Sequence, residues 1–84
     1  MAVDILASAP FRAPVLVRIG HGSSEPVESA SDAIHYLQNR WPHERGKHYR
    51  RAMKVCKEAA QGSVPTEVAR EAFISAAIEA YVLA

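Results

Sequence analysis

The spacing of apolar and polar residues changes about a third of the way along the chain. In PVLVRI, residues 14–19, Val15, Val17 and Ile19 alternate with Leu16 and Arg18, the two-residue period of a half-buried strand. GHGSS, residues 20–24, follows as a turn, and EPVES, residues 25–29, reads as the returning strand. Pro26 has no N–H to give to a ladder, so it belongs at a strand's first residue or on an edge. A third short strand has room at residues 3–6.

Beyond Ser29 the period becomes helical. Ser29 followed by Asp32 is a capping-box-like helix start, and Ala30, Ala33, Ile34, Leu37 and Trp41 then fall on one stripe. Pro42 disfavours helical geometry at Trp41, which ends this helix at residues 39–41. A second helix over residues 47–61 buries Tyr49, Ala52, Met53, Cys56, Ala59 and Ala60, and Gly62 stops it. Ser63 and Pro65 open a third helix whose main stripe is Ala69, Ala72, Phe73, Ala76 and Ala80. Ile74, Ile78 and Tyr81 lie on a different face, so this helix is either central or engaged with a partner; the three are the candidate self-association residues. The terminal YVLA reads equally as a strand or as helix.

This order predicts one small α+β domain over residues 1–84. An N-terminal antiparallel β-hairpin, with a third short strand as an option, packs against three α-helices, and residues 1–13 form a flexible or strand-like lead. Composition agrees: 84 residues, 49% hydrophobic and 23% charged, suit a soluble globular chain rather than a disordered one. No apolar run approaches the roughly 18 residues of a membrane span. Asp4 interrupts the N-terminal apolar run and no basic segment precedes it, which argues against a signal peptide. The single cysteine, Cys56, has no partner for an intramolecular disulfide, and the expectation is a reducing compartment, the cytoplasm.

Charge is distributed unevenly. Arg40, Arg45, Lys47, Arg50, Arg51, Lys54 and Lys57 are seven of the ten basic residues and face only Glu44 in that segment, a local charge of +6. The rest of the chain, three cations against eight carboxylates, carries −5. Attraction to a polyanion would therefore be local.

The string Trp41-Pro42, then Gly46, Tyr49 and Ala52 in G-x-x-Y-x-x-A, then Cys56, then Ala69, Arg70, Ala72, Phe73 and Ala76 in A-R-x-A-F-x-x-A, preceded by Pro14 and Val15, resembles a family of short bacterial proteins. That family is catalogued as domain of unknown function 982, and the similarity runs from Phe11 to the C-terminus. The resemblance implies a small stand-alone domain and carries across no catalytic residue. Most of the shared residues are core, turn or cap; Arg70 is polar and packing does not explain it.

Chemistry is sparse. His35, His43, His48 and Cys56 are the donors for a metal, but His48 and Cys56 lie about 12 Å apart along one helix and about 80° around it, too far to share an ion. Cys56 sits in an apolar stripe, where a thiol acts as a small hydrophobe. GHGSS resembles the opening of class II metal chelatases, but that fold needs a longer doubly wound domain, and the loop is not the G-x-S-x-G of a nucleophile elbow. No cofactor is implied, and no acid–base pair, nucleophile or metal set supports an enzyme.

The basic face of the second helix remains. Lys47, Arg50, Arg51, Lys54 and Lys57 fall within roughly 120° of one another, opposite the buried stripe. The bland account is a solvated face. Against it, the cations crowd the helix's opening turns, where the macrodipole disfavours them by about 0.3–1 kcal/mol each. Gly46 precedes free N–H groups that an anion would satisfy, with Arg45, Lys47, His48, Arg50 and Arg51 around them. Arg70 has two roles open to it, a surface pair with Glu67 or a cap on a loop carbonyl or ligand carboxylate at the helix–hairpin junction. The resulting expectation is a non-enzymatic interaction module, homodimeric or bound to another protein, whose basic helix meets an acidic partner or anion. The alternative is weak, sequence-nonspecific nucleic-acid binding by the same helix, without base readout.

Overall fold

The computed structural model describes residues 9–42 and 45–84. The chain runs β1 (Pro10–Val17), β2 (Glu25–Ser29), α1 (Ala30–Asn39), α2 (Lys47–Ala60) and α3 (Thr66–Glu79). The two strands form an antiparallel hairpin, and the three helices pack against it and one another, the α+β arrangement that the pattern predicts. The strand proposed at residues 3–6 lies outside the described residues.

Val15 pairs with Val27 on the face turned to the helices, and both are buried. β1 starts at Pro10, earlier than the alternation indicates. Between the pairs Pro10–Ser29 and Val15–Val27 the register shifts, β1 advancing further than β2. Such a bulge leaves residues outside the ladder, which hides the first half of the strand from a two-residue period. The turn is reversed at Gly20, whose φ of 79° suits a residue without a β-carbon.

Ser29 caps α1: its Oγ accepts the Asp32 N–H at 3.0 Å, and the Asp32 carboxylate reaches back to the Glu28 N–H at 3.3 Å. The second bond lands one residue before the cap, a shifted version of the reciprocal box. At the far end, Gly62 (φ 84°) stops α2, and the Ser63 N–H bonds the Glu58 carbonyl at 2.8 Å. Ser63 thus closes α2, and Pro65 is the cap of α3.

Phe73, Leu37, Val17, Val27 and Cys56 are the largest side chains removed fully from water. Trp41 packs on Phe73 with ring centroids 5.4 Å apart, and the Tyr49 hydroxyl donates to the Leu37 carbonyl at 2.9 Å, tying α2 to α1. Ala69, Ala72, Ala76 and Ala77 are all buried, and these short side chains let α3 lie close against α2 and β1. Val55 is buried on α2 although the expected stripe omits it, whereas Tyr49, Met53 and Ala60 are half-buried at its margin.

The terminal YVLA, residues 81–84, is not helical: it runs back along β1 as the strand-like alternative expects, and the helix alternative fails. α3 ends at Glu79, Tyr81 takes a left-handed conformation, and Leu83 makes an antiparallel bridge to Val17. Hydrogen bonds from Arg18 N–H to the Val82 carbonyl (2.8 Å) and from Ala84 N–H to the Leu16 carbonyl (2.9 Å) fasten this segment to the second edge of β1. Among the described residues no helix is long and apolar enough to cross a membrane.

Candidate functional site

Lys47, Arg50, Arg51, Lys54 and Lys57 stand exposed on the side of α2 away from its buried residues Ala52, Val55, Cys56 and Ala59. None of the five is paired with a carboxylate among the described residues. The other two cations of the segment have structural work. Arg40 grips the Glu25 carboxylate with both terminal nitrogens, at 2.5 and 2.7 Å, and lies over the Tyr36 ring. This fork, with the Tyr36 hydroxyl at 2.8 Å, holds the Glu25 carboxyl down at a pKa of about 2. Arg45 donates to the carbonyls of Pro42 (3.3 Å) and Trp41 (3.2 Å) and stacks over Tyr49, buttressing the turn into α2.

The start of α2 differs from the expectation. Gly46 has no side chain to cap the helix and the first turn contains no acid, so its N–H groups need an acceptor. Glu79, at the end of α3, supplies it. Its Oε1 accepts from Gly46 and Tyr49, both at 3.2 Å, and its Oε2 accepts from His48 at 3.3 Å. Burial works to raise the Glu79 pKa, but the three N–H bonds and nearby His48 outweigh it and hold the carboxyl below its usual range. The anion that the helix dipole calls for is therefore part of the chain, and no external anion is needed at that point. Gly46 leaves space for this carboxylate: a β-carbon there would stand 2.6 Å from Glu79 Oε2.

Beside this junction His48, Ser75, Ile78, Glu79 and Tyr81 line a groove of about 440 Å³. Ile78 is 57% exposed and Tyr81 is 90% exposed. Ile74, grouped with them by helical spacing, is half-buried and packs against the core instead. Its face of α3 is claimed by the domain itself, which leaves Ile78 and Tyr81 as the exposed apolar pair.

Arg70 lies apart from the groove. Its Nε donates to the Ala13 carbonyl, within the irregular part of β1, at 2.9 Å, and its Nη1 lies 3.5 Å from Glu67. The surface pair and the carbonyl cap open to it in the sequence are both present, and the cap uses the length of the side chain to bridge α3 to the irregular part of β1. Cys56 is fully buried, its thiol directed at the Ala69 carbonyl 3.9 Å away, and burial pushes its pKa up to about 12. His35 is exposed on α1 beside Asn39, and His43 lies outside the described residues. No group of three metal-ligating side chains comes together among the described residues.

Glu79 and Ser75 were not singled out by sequence. Glu79 lies 33 residues from Gly46, and no local pattern links them; the available signal was a helix start lacking both a capping side chain and an acid.

The profile of a family described as "Protein of unknown function (DUF982)" matches residues 13–84. An NMR structure of an Agrobacterium tumefaciens protein, a structural-genomics target, superposes with a TM-score of 0.80 at 27% identity. The match covers 100% of this chain and 86% of that one. Comparison with curated proteins finds no match.

Proposed function

The chain belongs to the DUF982 family, whose description assigns no activity, and from the surface of this member we propose a non-enzymatic interaction module that presents the cationic face of α2 to an acidic partner. The observation that carries this reading is the set of five exposed cations, Lys47, Arg50, Arg51, Lys54 and Lys57, without carboxylate partners among the described residues. Glu79 already satisfies the N–H groups at the start of α2, so the charge left to be answered is that of the cationic face itself. Like charges on one helical face repel one another. An acidic surface docked on them removes that repulsion.

Fluorescence anisotropy with a labelled oligo-glutamate peptide tests the reading. Binding is expected at low salt, weakens as the Debye length contracts from roughly 30 Å at 0.01 M to about 8 Å at 0.15 M ionic strength, and is lost when Arg50, Lys54 and Lys57 are all reversed to Glu. Peptide binding that survives the reversal refutes the proposal. A labelled oligonucleotide of equal charge forms the second arm. If it binds more tightly than the peptide, with a log–log salt slope of about −0.7 to −0.9 per phosphate, the partner is a nucleic-acid backbone instead.

A further inference from the structure

The groove between the start of α2 and the end of α3 is flanked by the least buried large apolar side chain of the described residues. Tyr81 is 90% exposed and holds a φ of 60°, a conformation that a bulky residue adopts at a steric cost. A ring held outward in this way gains little from its own domain, and observed backbone strain is a lead to function. We propose that Tyr81 fills the same groove on a second copy, forming a two-fold homodimer in which each tyrosine enters its partner's groove. This rests on the interaction-module reading and names the partner at this surface as the chain itself.

Three observations point to a second copy rather than to an unrelated segment. The anchor and its receptor adjoin in one patch, since Tyr81 is itself part of the lining with His48, Ser75 and Ile78. A two-fold interface is self-complementary and requires that adjacency. The groove volume of about 440 Å³ accommodates one aromatic ring. Finally, the two walls carry opposite charge. On α2, exposed Arg51 follows the groove-lining His48 by three residues; on α3, exposed Glu71 precedes the groove-lining Ser75 by four. These spacings place each charge on the stripe of its lining residue. α2 and α3 run antiparallel, because Glu79 meets the start of α2 while Ala69 meets Cys56 further along. A two-fold axis along the groove then sets the Arg51 wall of one copy against the Glu71 wall of the other. Glu79, already occupied by three N–H groups, lies at the floor.

Sedimentation velocity over a micromolar-to-millimolar range tests the proposal, with amide and ring NMR shifts followed over the same range. The native chain is expected to dimerise, with concentration-dependent shifts at His48, Ser75, Ile78 and Tyr81. Tyr81→Gly should raise the dimer dissociation constant at least about tenfold, the effect of losing a central aromatic anchor, while its thermal unfolding shows a fold no less stable. Arg51→Glu should weaken the dimer and Arg51→Glu with Glu71→Arg should restore it, since the swap rebuilds both charge pairs. A native chain that stays monomeric at millimolar concentration overturns the proposal, as does a dimer unchanged by Tyr81→Gly. A monomer whose Ile78 and Tyr81 signals shift only when an acidic peptide is added also overturns it, assigning the groove to a foreign segment. The two readings fail separately: the peptide assay reports the outer face through Arg50, Lys54 and Lys57 with Arg51 left in place, and absence of peptide binding beside a Tyr81-dependent dimer removes the outer-face reading alone.

Discussion

Replacing Tyr81 by glycine should make the monomeric domain more stable. The helix α3 stops with the Tyr81 N–H on the Ile78 carbonyl at 3.1 Å and the Val82 N–H on the Ala77 carbonyl at 2.9 Å, the bonding of a glycine-type helix stop with tyrosine in the glycine position. At φ 60° the β-carbon crowds the backbone, which costs roughly 1–2 kcal/mol. The ring returns little of this, being 90% exposed. Glycine has a freer unfolded chain, and that takes back about 0.4–1 kcal/mol. The net gain is centred near about 0.8 kcal/mol and reaches at most about 1.6, the central value corresponding to roughly 3–6 °C in melting temperature for a domain of this size. Circular dichroism melts at a concentration low enough to keep both proteins monomeric remove the contribution of association. Tyr81→Ala serves as the control, because it deletes the ring and keeps the β-carbon, and it should gain far less. Gly62, with φ 84° and open space around it, performs the same job for α2 without strain. A Tyr81→Gly melt at or below the native one refutes the argument, because the strain would then be repaid by contacts that the fold does not show.

Four further outcomes follow from the geometry. Glu79→Gln should lower the melting temperature and speed amide exchange at Gly46, His48 and Tyr49. Gly46→Ala, which drives a β-carbon onto the same carboxylate, should cost less in a Glu79→Ala background than in the native one, and a double-mutant cycle of melts measures the difference. Glu25 has its pKa depressed from 4.5 to about 2 by Arg40 and Tyr36; a depressed carboxylate contributes stability that is complete above its ordinary pKa and lost as pH falls through the folded value. Stability should therefore decline from about pH 4.5 toward pH 2, and in Arg40→Ala a melting series over that range should show a shallower decline. Cys56, buried and with its pKa raised to about 12, should resist iodoacetamide in native buffer at pH 8 and react after addition of urea, as read by mass spectrometry; rapid native labelling would contradict its place in the core.

The elements that one stretch of chain specifies by itself were legible. Glu25–Ser29, the Ser29 cap, the stop at Gly62 and the alanine stripe of α3 each follow from spacing or from the dihedral preferences of single residues. The same local evidence misled where a neighbour distant in sequence decides. Ile74 belongs to the exposed stripe of an isolated helix, yet the packed domain half-buries it against the core. Val55 falls beside the expected stripe of α2 and is buried because α2 is enclosed over a wider arc than one stripe. The bulge in β1 erased the alternation that would have extended the strand back to Pro10.

The sequence by itself determined the α+β order, most of the core and the concentration of cations on α2, because hydrophobic period and charge are properties of consecutive residues. Tertiary structure alone decided which of those cations are free. It gave Arg40 to Glu25 and set Arg45 on the turn carbonyls, leaving five without a carboxylate partner among the described residues. It also brought Glu79 to the start of α2 and formed the groove beside Tyr81. Arg45 reaches carbonyls only three and four residues back, but the Arg40–Glu25 and Gly46–Glu79 meetings join residues 15 and 33 positions apart, and nothing in the local pattern encodes them, since each exists only once the chain has packed.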